Sequence, residues 1–184
     1  MADLVKGRLL VATPELEDPN FFRTVMLMLD HTEEGALGVV LNRPTTASVS
    51  EPLPEWASIA AEPAVVFVGG PVQPEAAIGI GRRAGTGEPD GFATLFGELG
   101  TVDLERPPTA VAPPVDRLRV FAGYAGWAPG QLERELAADG WFVVESDAAD
   151  PWSDAPTDLW RRVLRRQRGQ LRVFADFPMD PQAN

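Results

Sequence analysis

The chain has 184 residues, 45% of them hydrophobic and 23% charged, a length and mixture suited to one globular domain with a buried core. A formal net charge of -11 opposes long-range approach to DNA, RNA or an anionic membrane. There is no cysteine and one histidine, His31, which removes thiol chemistry, disulfides, iron–sulfur clusters, cysteine-based zinc sites and any two-histidine metal site within the chain.

No apolar run approaches the ~18 residues of a membrane-spanning helix, and the first residues lack the layout of a signal peptide, so the expected location is cytoplasmic. Val5 to Ala12 predicts a first strand, ended by Thr13-Pro14. Asp18-Pro19-Asn20-Phe21-Phe22 predicts a capped single turn. Thr24 to Asp30 and Ala36 to Leu41 flank the polar stretch His31 to Gly35 and predict a β-hairpin, closed by Asn42-Arg43-Pro44. Ser50 could cap a short helix over Glu51 to Ala61, where Leu53, Trp56 and Ile59 recur at helical spacing.

Ala64 to Val68 predicts a buried strand running into Gly69-Gly70-Pro71-Val72. The glycine-rich stretch from Ile78 to about Thr101 suggests shorter or bulged strands, and Arg106 to Pro114, with four prolines, an extended connector. Leu118 to Ala122 predicts a strand leading into Gly123-Tyr124-Ala125-Gly126-Trp127, followed by a helix from Pro129 to Ala138 and a strand from Trp141 to Glu145. Thr157 or Asp158 could cap a last helix through Arg168, and the tail runs from Asp180 to Asn184. Strands dominate the first two-thirds and helices the last third, which favours an α+β fold; no repeat or linker divides the chain.

Five segments in this order resemble the YqgE/AlgH family: Gly7 to Pro14; Phe21 to His31 with Gly35 to Gly38; Leu41 to Pro44; Gly69 to Val72; and Gly123 to Trp127 with Gly130 to Glu133. The resemblance implies a compact α+β domain with a curved, barrel-like mixed sheet. It supplies no catalytic residue, since no activity is established for the family as a whole, although some members are labelled transcriptional regulators.

Among the chemistry-bearing residues, Asp30-His31 could form an acid/base pair, but neighbours on a strand point to opposite faces, and a turn histidine bonded to backbone fits as well. Asn42 and Arg43 could bind an anion or simply end a strand; the hairpin would hold Arg43 about 20 Å from His31. Gly123, Tyr124, Gly126, Trp127 and Gln131 stand where a strand would turn into a helix, a place able to hold an anion on free backbone N–H groups. The sequence is neither a Walker loop nor a dinucleotide fingerprint, and the alternative is a tight turn with Tyr124 and Trp127 as packing. Gly69, Gly70 and Pro71 carry the same two readings, and form one pocket with Gly123 to Trp127 only if the two strand ends are neighbours.

The last helix carries Arg161, Arg162, Arg165, Arg166 and Arg168 opposite Leu159, Trp160, Val163 and Leu164. This basic face could meet nucleic acid, or be neutralised by Glu145, Asp147, Asp150, Asp154 and Asp158, and the second reading is favoured. The expectation is a binding or regulatory module for a protein or a small anionic ligand, with no metal or cofactor and homo-oligomerisation open. The alternatives are an acid/base enzyme using His31 and a DNA-binding regulator.

Overall fold

A computed structural model of the chain describes residues 5–177, and the tail from Asp180 to Asn184 lies outside them. Ten strands are joined in one network: β1 (Leu9–Ala12), β2 (Val25–Thr32), β3 (Gly35–Val40), β4 (Pro44–Ser48), β5 (Val65–Val68), β6 (Val72–Arg83), β7 (Phe92–Phe96), β8 (Leu99–Val102), β9 (Val115–Trp127) and β10 (Trp141–Val144). Two α-helices, α1 (Gln131–Ala137) and α2 (Leu159–Arg165), and several short 3-10 segments complete the α+β fold.

The sheet order is β10-β1-β2-β3-β9-β6-β8-β7, so the path has two ends and does not close. All of these pairs are antiparallel, whereas β5, itself paired to β4, runs parallel to β9. The predicted hairpin is present as β2 and β3, with a bulge between Met28 and Asp30.

The continuous apolar runs follow from burial on both faces. Leu9 and Val11, Val25, Leu27 and Leu29, and Val39 and Leu41 join a core beneath α2, while Leu10 and Ala12, Met26 and Met28, and Val40 join a second core beneath α1. Strand side chains alternate between faces, so a run such as Val25 to Leu29 supplies both cores at once. Each such Leu, Val or Met contributes roughly 1.5–3 kcal/mol of burial free energy. A third cluster, with Trp56, Phe92, Leu118 and Val120, fills the far end.

Three expectations are corrected. The helix over Glu51 to Ala61 is only a 3-10 segment, Ala57–Ile59, because Pro52 and Pro54 interrupt the amide ladder; Ser50 bonds to Ser48 instead of capping it. The chain after Asn42 does not leave the sheet but adds β4, whose first residue is the proline, a position that needs no N–H donor. The stretch from Ile78 holds bulged and short strands as expected, the end of β6 with β7 and β8, and its Gly79 and Gly81 face Leu104, Val102 and Val115 side chains where a Cβ would clash. The last helix stops at Arg165 and gives way to a 3-10 segment over Gly169–Asp176.

Candidate functional site

The second glycine motif is not a turn. β9 continues straight through Gly123-Tyr124-Ala125-Gly126-Trp127, and α1 begins only at Gln131. The two glycine motifs do meet. Gly69 donates its N–H to the Ala122 carbonyl at 2.9 Å and its own carbonyl accepts from Val40, so the chain after β5 crosses directly over β9. A Cβ at Gly69 would collide with the Gly123 carbonyl, one at Gly70 with the Tyr124 carbonyl, and one at Gly123, where φ is +74°, with the Gly70 carbonyl. The glycines thus fill one another's space, backbone against backbone, and Tyr124 packs against the core under α2 while Trp127 joins the one under α1.

His31 and Asp30 separate as strand neighbours do. His31 is 2% exposed, whereas Asp30 faces solvent and accepts the His31 backbone N–H at 2.9 Å. The imidazole Nε2 instead meets Glu133 Oε1 of α1 at 2.5 Å. The Glu133 backbone N–H, and next the His31 contact, hold this carboxyl below the usual carboxylate range. Glu135, one turn-face away, accepts from the indoles of Trp127 at 2.6 Å and Trp141 at 3.2 Å, and from Gln131 at 3.3 Å. These contacts dock α1 on β2, β9 and β10. Sequence reading missed Glu133 because its partner His31 lies about a hundred residues away, and passed over Glu135 although its indole partners Trp127 and Trp141 stand within eight residues of it.

Asn42 and Arg43 hold one loop in place. Asn42 Oδ1 accepts from Val25 and its amide donates to the Arg23 carbonyl at 2.8 Å, fixing Arg23 at a φ of +53°. The Arg43 guanidinium donates to the carbonyls of Pro19, Asn20 and Phe22. Burial lowers its pKa below the ordinary arginine value, against the opposing pull of Asp18. Beside this loop is a cleft of about 230 Å³ lined by Phe22, Arg23, Arg43, Asp158, Trp160 and Arg161. The Arg23 guanidinium stacks on Trp160 at 4.3 Å and donates to the Phe177 carbonyl; Arg161 donates Nε to Ala175 and stands 4.0 Å from Asp158. Burial, and next the charge of Arg161, lowers the Arg23 pKa. Nothing in local pattern pointed to Arg23, since only tertiary folding sets residue 23 against residues 160 and 161.

The remaining arginines of α2 turn to protein partners. Arg166 makes a two-pronged bond to Asp150 at 2.5 and 2.8 Å, Arg165 pairs with Asp176 at 3.2 Å, and Arg162 reaches the Ser153 hydroxyl at 3.3 Å. Among the described residues, no cluster of three His, Asp or Glu is placed for a metal, and no helix is long and apolar enough to cross a membrane.

With this geometry in view, a family model described as AlgH-like matches residues 9–172. The chain belongs to the AlgH-like family. Within it, a UPF0301 protein of Streptomyces coelicolor is 56% identical over 97% of this chain and 94% of its own, and one of Mycobacterium leprae is 43% identical over 97% and 90%. The crystal structure of a protein from Corynebacterium diphtheriae superposes with a TM-score of 0.88 at 32% identity, over 95% of this chain and 93% of that one. The solution structure of AlgH from Pseudomonas aeruginosa gives 0.64 at 29% identity, over 90% and 95%.

Proposed function

We propose that this AlgH-like chain is a cytoplasmic, non-enzymatic binding module that holds an anionic group, on a small molecule or a protein, in the cleft of Arg23, Arg43 and Arg161. The observation that carries the reading is the convergence of three guanidinium groups and the Trp160 ring on one cleft of a chain with net charge -11. The field of such a protein repels anions, so one is admitted only where local cations outweigh it. Arg43 contributes charge while its N–H groups hold the loop, and Arg161 has its Nη1 4.0 Å from Asp158, which lines the same cleft. Backbone strain at Arg23, retained by the Asn42 amide, is a further mark of a functional place.

What supports a small or protein ligand over DNA is the pairing of Arg165 and Arg166 with Asp176 and Asp150, which leaves the arginine face of α2 largely neutralised. What argues for binding over catalysis is the burial of His31 against Glu133, away from an open cleft.

The test is thermal unfolding of the full chain with millimolar phosphate, citrate or an acidic peptide, in wild type and Arg161→Ala. A ligand at about a hundred times its Kd adds roughly 2.7 kcal/mol, or about 5–10 °C at this size. The expected result is such a shift with at least one anion, lost in Arg161→Ala. Flat curves with all three, or an equal shift in the variant, would overturn the reading.

A further inference from the structure

The residue after Arg161 belongs to a different cleft. Arg162, with Glu62, Arg117, Trp152, Ser153 and Asp154, borders a cavity of about 450 Å³, a volume typical of small-molecule pockets. Its two walls are the turn at residues 61–62 and the loop at residues 149–154, and a buried arginine ties them together. Arg119, 2% exposed and set 4.4 Å from the Phe67 ring, donates to Ala61 and Glu62 on one wall and to Pro151 and Ser153 on the other, at 2.8–3.1 Å. A guanidinium with four carbonyl acceptors fixes both loops before any ligand arrives.

The indole N–H of Trp152 and the Nε of Arg119 are buried without a hydrogen-bond partner. Buried N–H groups are almost always paired, and of these two the Trp152 indole belongs to a residue that lines the cavity, whereas Arg119 lies behind it. Arg117 makes no hydrogen bond or ion pair among the described residues and lies 5.8 Å from the Trp152 ring. Arg117 and Arg119 are two apart on β9 and so share a face, which sets like charges side by side. Among the described residues Arg162 has one side-chain hydrogen bond, to the Ser153 hydroxyl at 3.3 Å.

We infer that the cavity between Arg117, Trp152 and Arg162 is a second ligand site, for a compact molecule bearing a carboxylate or phosphate. The oxyanion accepts from Arg117, Arg162 and the Trp152 N–H, and the indole face offers a flat apolar wall. Glu62 and Asp154 line the same cavity and set it against an extended polyanion, which would meet their charges as well. The site stands apart from the Arg23–Arg161 cleft and does not rest on it.

Isothermal titration of the full chain with succinate, inorganic phosphate and adenosine monophosphate tests the assignment, the first probe separating a carboxylate ligand from the two phosphates. Saturable binding of at least one probe is expected, weakened by roughly tenfold in Arg117→Ala. Trp152→Phe, which keeps a ring and deletes the N–H, should weaken it by about threefold to tenfold. Arg161→Ala should leave it unchanged, which keeps this result distinct from the first cleft. Arg117 has no hydrogen bond or ion pair to lose among the described residues and only a distant ring contact with Trp152, so its variant is expected to fold, which an unchanged unfolding midpoint checks. No binding of any probe at millimolar concentration, or affinity unchanged in Arg117→Ala, would overturn the proposal.

Discussion

Gly70 lies directly against the Tyr124 carbonyl, within the space a β-carbon would need. The neighbouring strand therefore tolerates no side chain at residue 70, and relief would require moving backbone on both sides.

Gly70→Ala should consequently destabilise the protein by about 3 kcal/mol or more, or prevent folding. Gly126→Ala is the internal comparison. Its β-carbon would meet only the Tyr124 ring at 3.7 Å and the Val72 side chain at 4.0 Å, ordinary contact distances. That variant should stay within about 1 kcal/mol of wild type in urea denaturation. Equal losses at the two positions would show that the crossing is not the reason for the glycines.

Arg119 sits in the core with its pKa pushed down to about 10, first by burial and then by Arg117. Arg119→Met would leave four carbonyls without this donor, those of Pro151 and Ser153 buried, and a loss of about 3–5 kcal/mol is expected. Arg119→Lys keeps the charge but not the fork, so it should lose about 2 kcal/mol in the same urea titration.

Arg166 and Arg165 give a second contrast. Asp150 is 4% exposed and takes both prongs of Arg166, while the Arg165–Asp176 pair is largely solvated. Arg166→Ala strands a buried carboxylate and should destabilise by about 2–4 kcal/mol; Arg165→Ala should change stability by about 0.5 kcal/mol at most. Chemical denaturation of both variants decides the point.

The contact of His31 with Glu133 carries a pH signature. A carboxyl held below its unfolded value contributes stability that is fully present above that value and is lost as pH falls through the folded one. Wild type should therefore exceed Glu133→Gln at pH 7, and the gap should close as pH drops below about 4, where the unfolded carboxyl protonates. Asp116, lowered by its bond to Arg82, contributes in the same direction and is present in both proteins. A gap that is constant with pH would mean that Glu133 acts through packing alone.

Much of the sheet was legible because apolar runs such as Val25 to Leu29 and Val65 to Val68 are strands whatever they pair with. The hairpin, α1 and β10 follow from turn and cap chemistry close in sequence. The spacing of Leu53, Trp56 and Ile59 suggested a helix that Pro52 and Pro54 forbid, although all three pack in the third cluster. The glycine motifs were singled out correctly as special backbone, yet one-dimensional reading could not distinguish a ligand cradle from two chains crossing. An arginine at the inward position of Leu118 to Ala122 was a signal for Arg119 that went unused. Both arginine clefts depend on residues more than a hundred positions apart, beyond any local pattern.

β9 has a position that shapes how the molecule is made. It lies between β3 and β6 and also pairs with β5, and it follows all three in the chain. During synthesis the first hundred residues must wait, with β3, β5 and β6 lacking their shared partner, until residue 127 has cleared the ribosome. Assembly is then dominated by contacts distant in sequence, which slows it. The exposed edges of the waiting strands are the interval in which this protein most needs a chaperone.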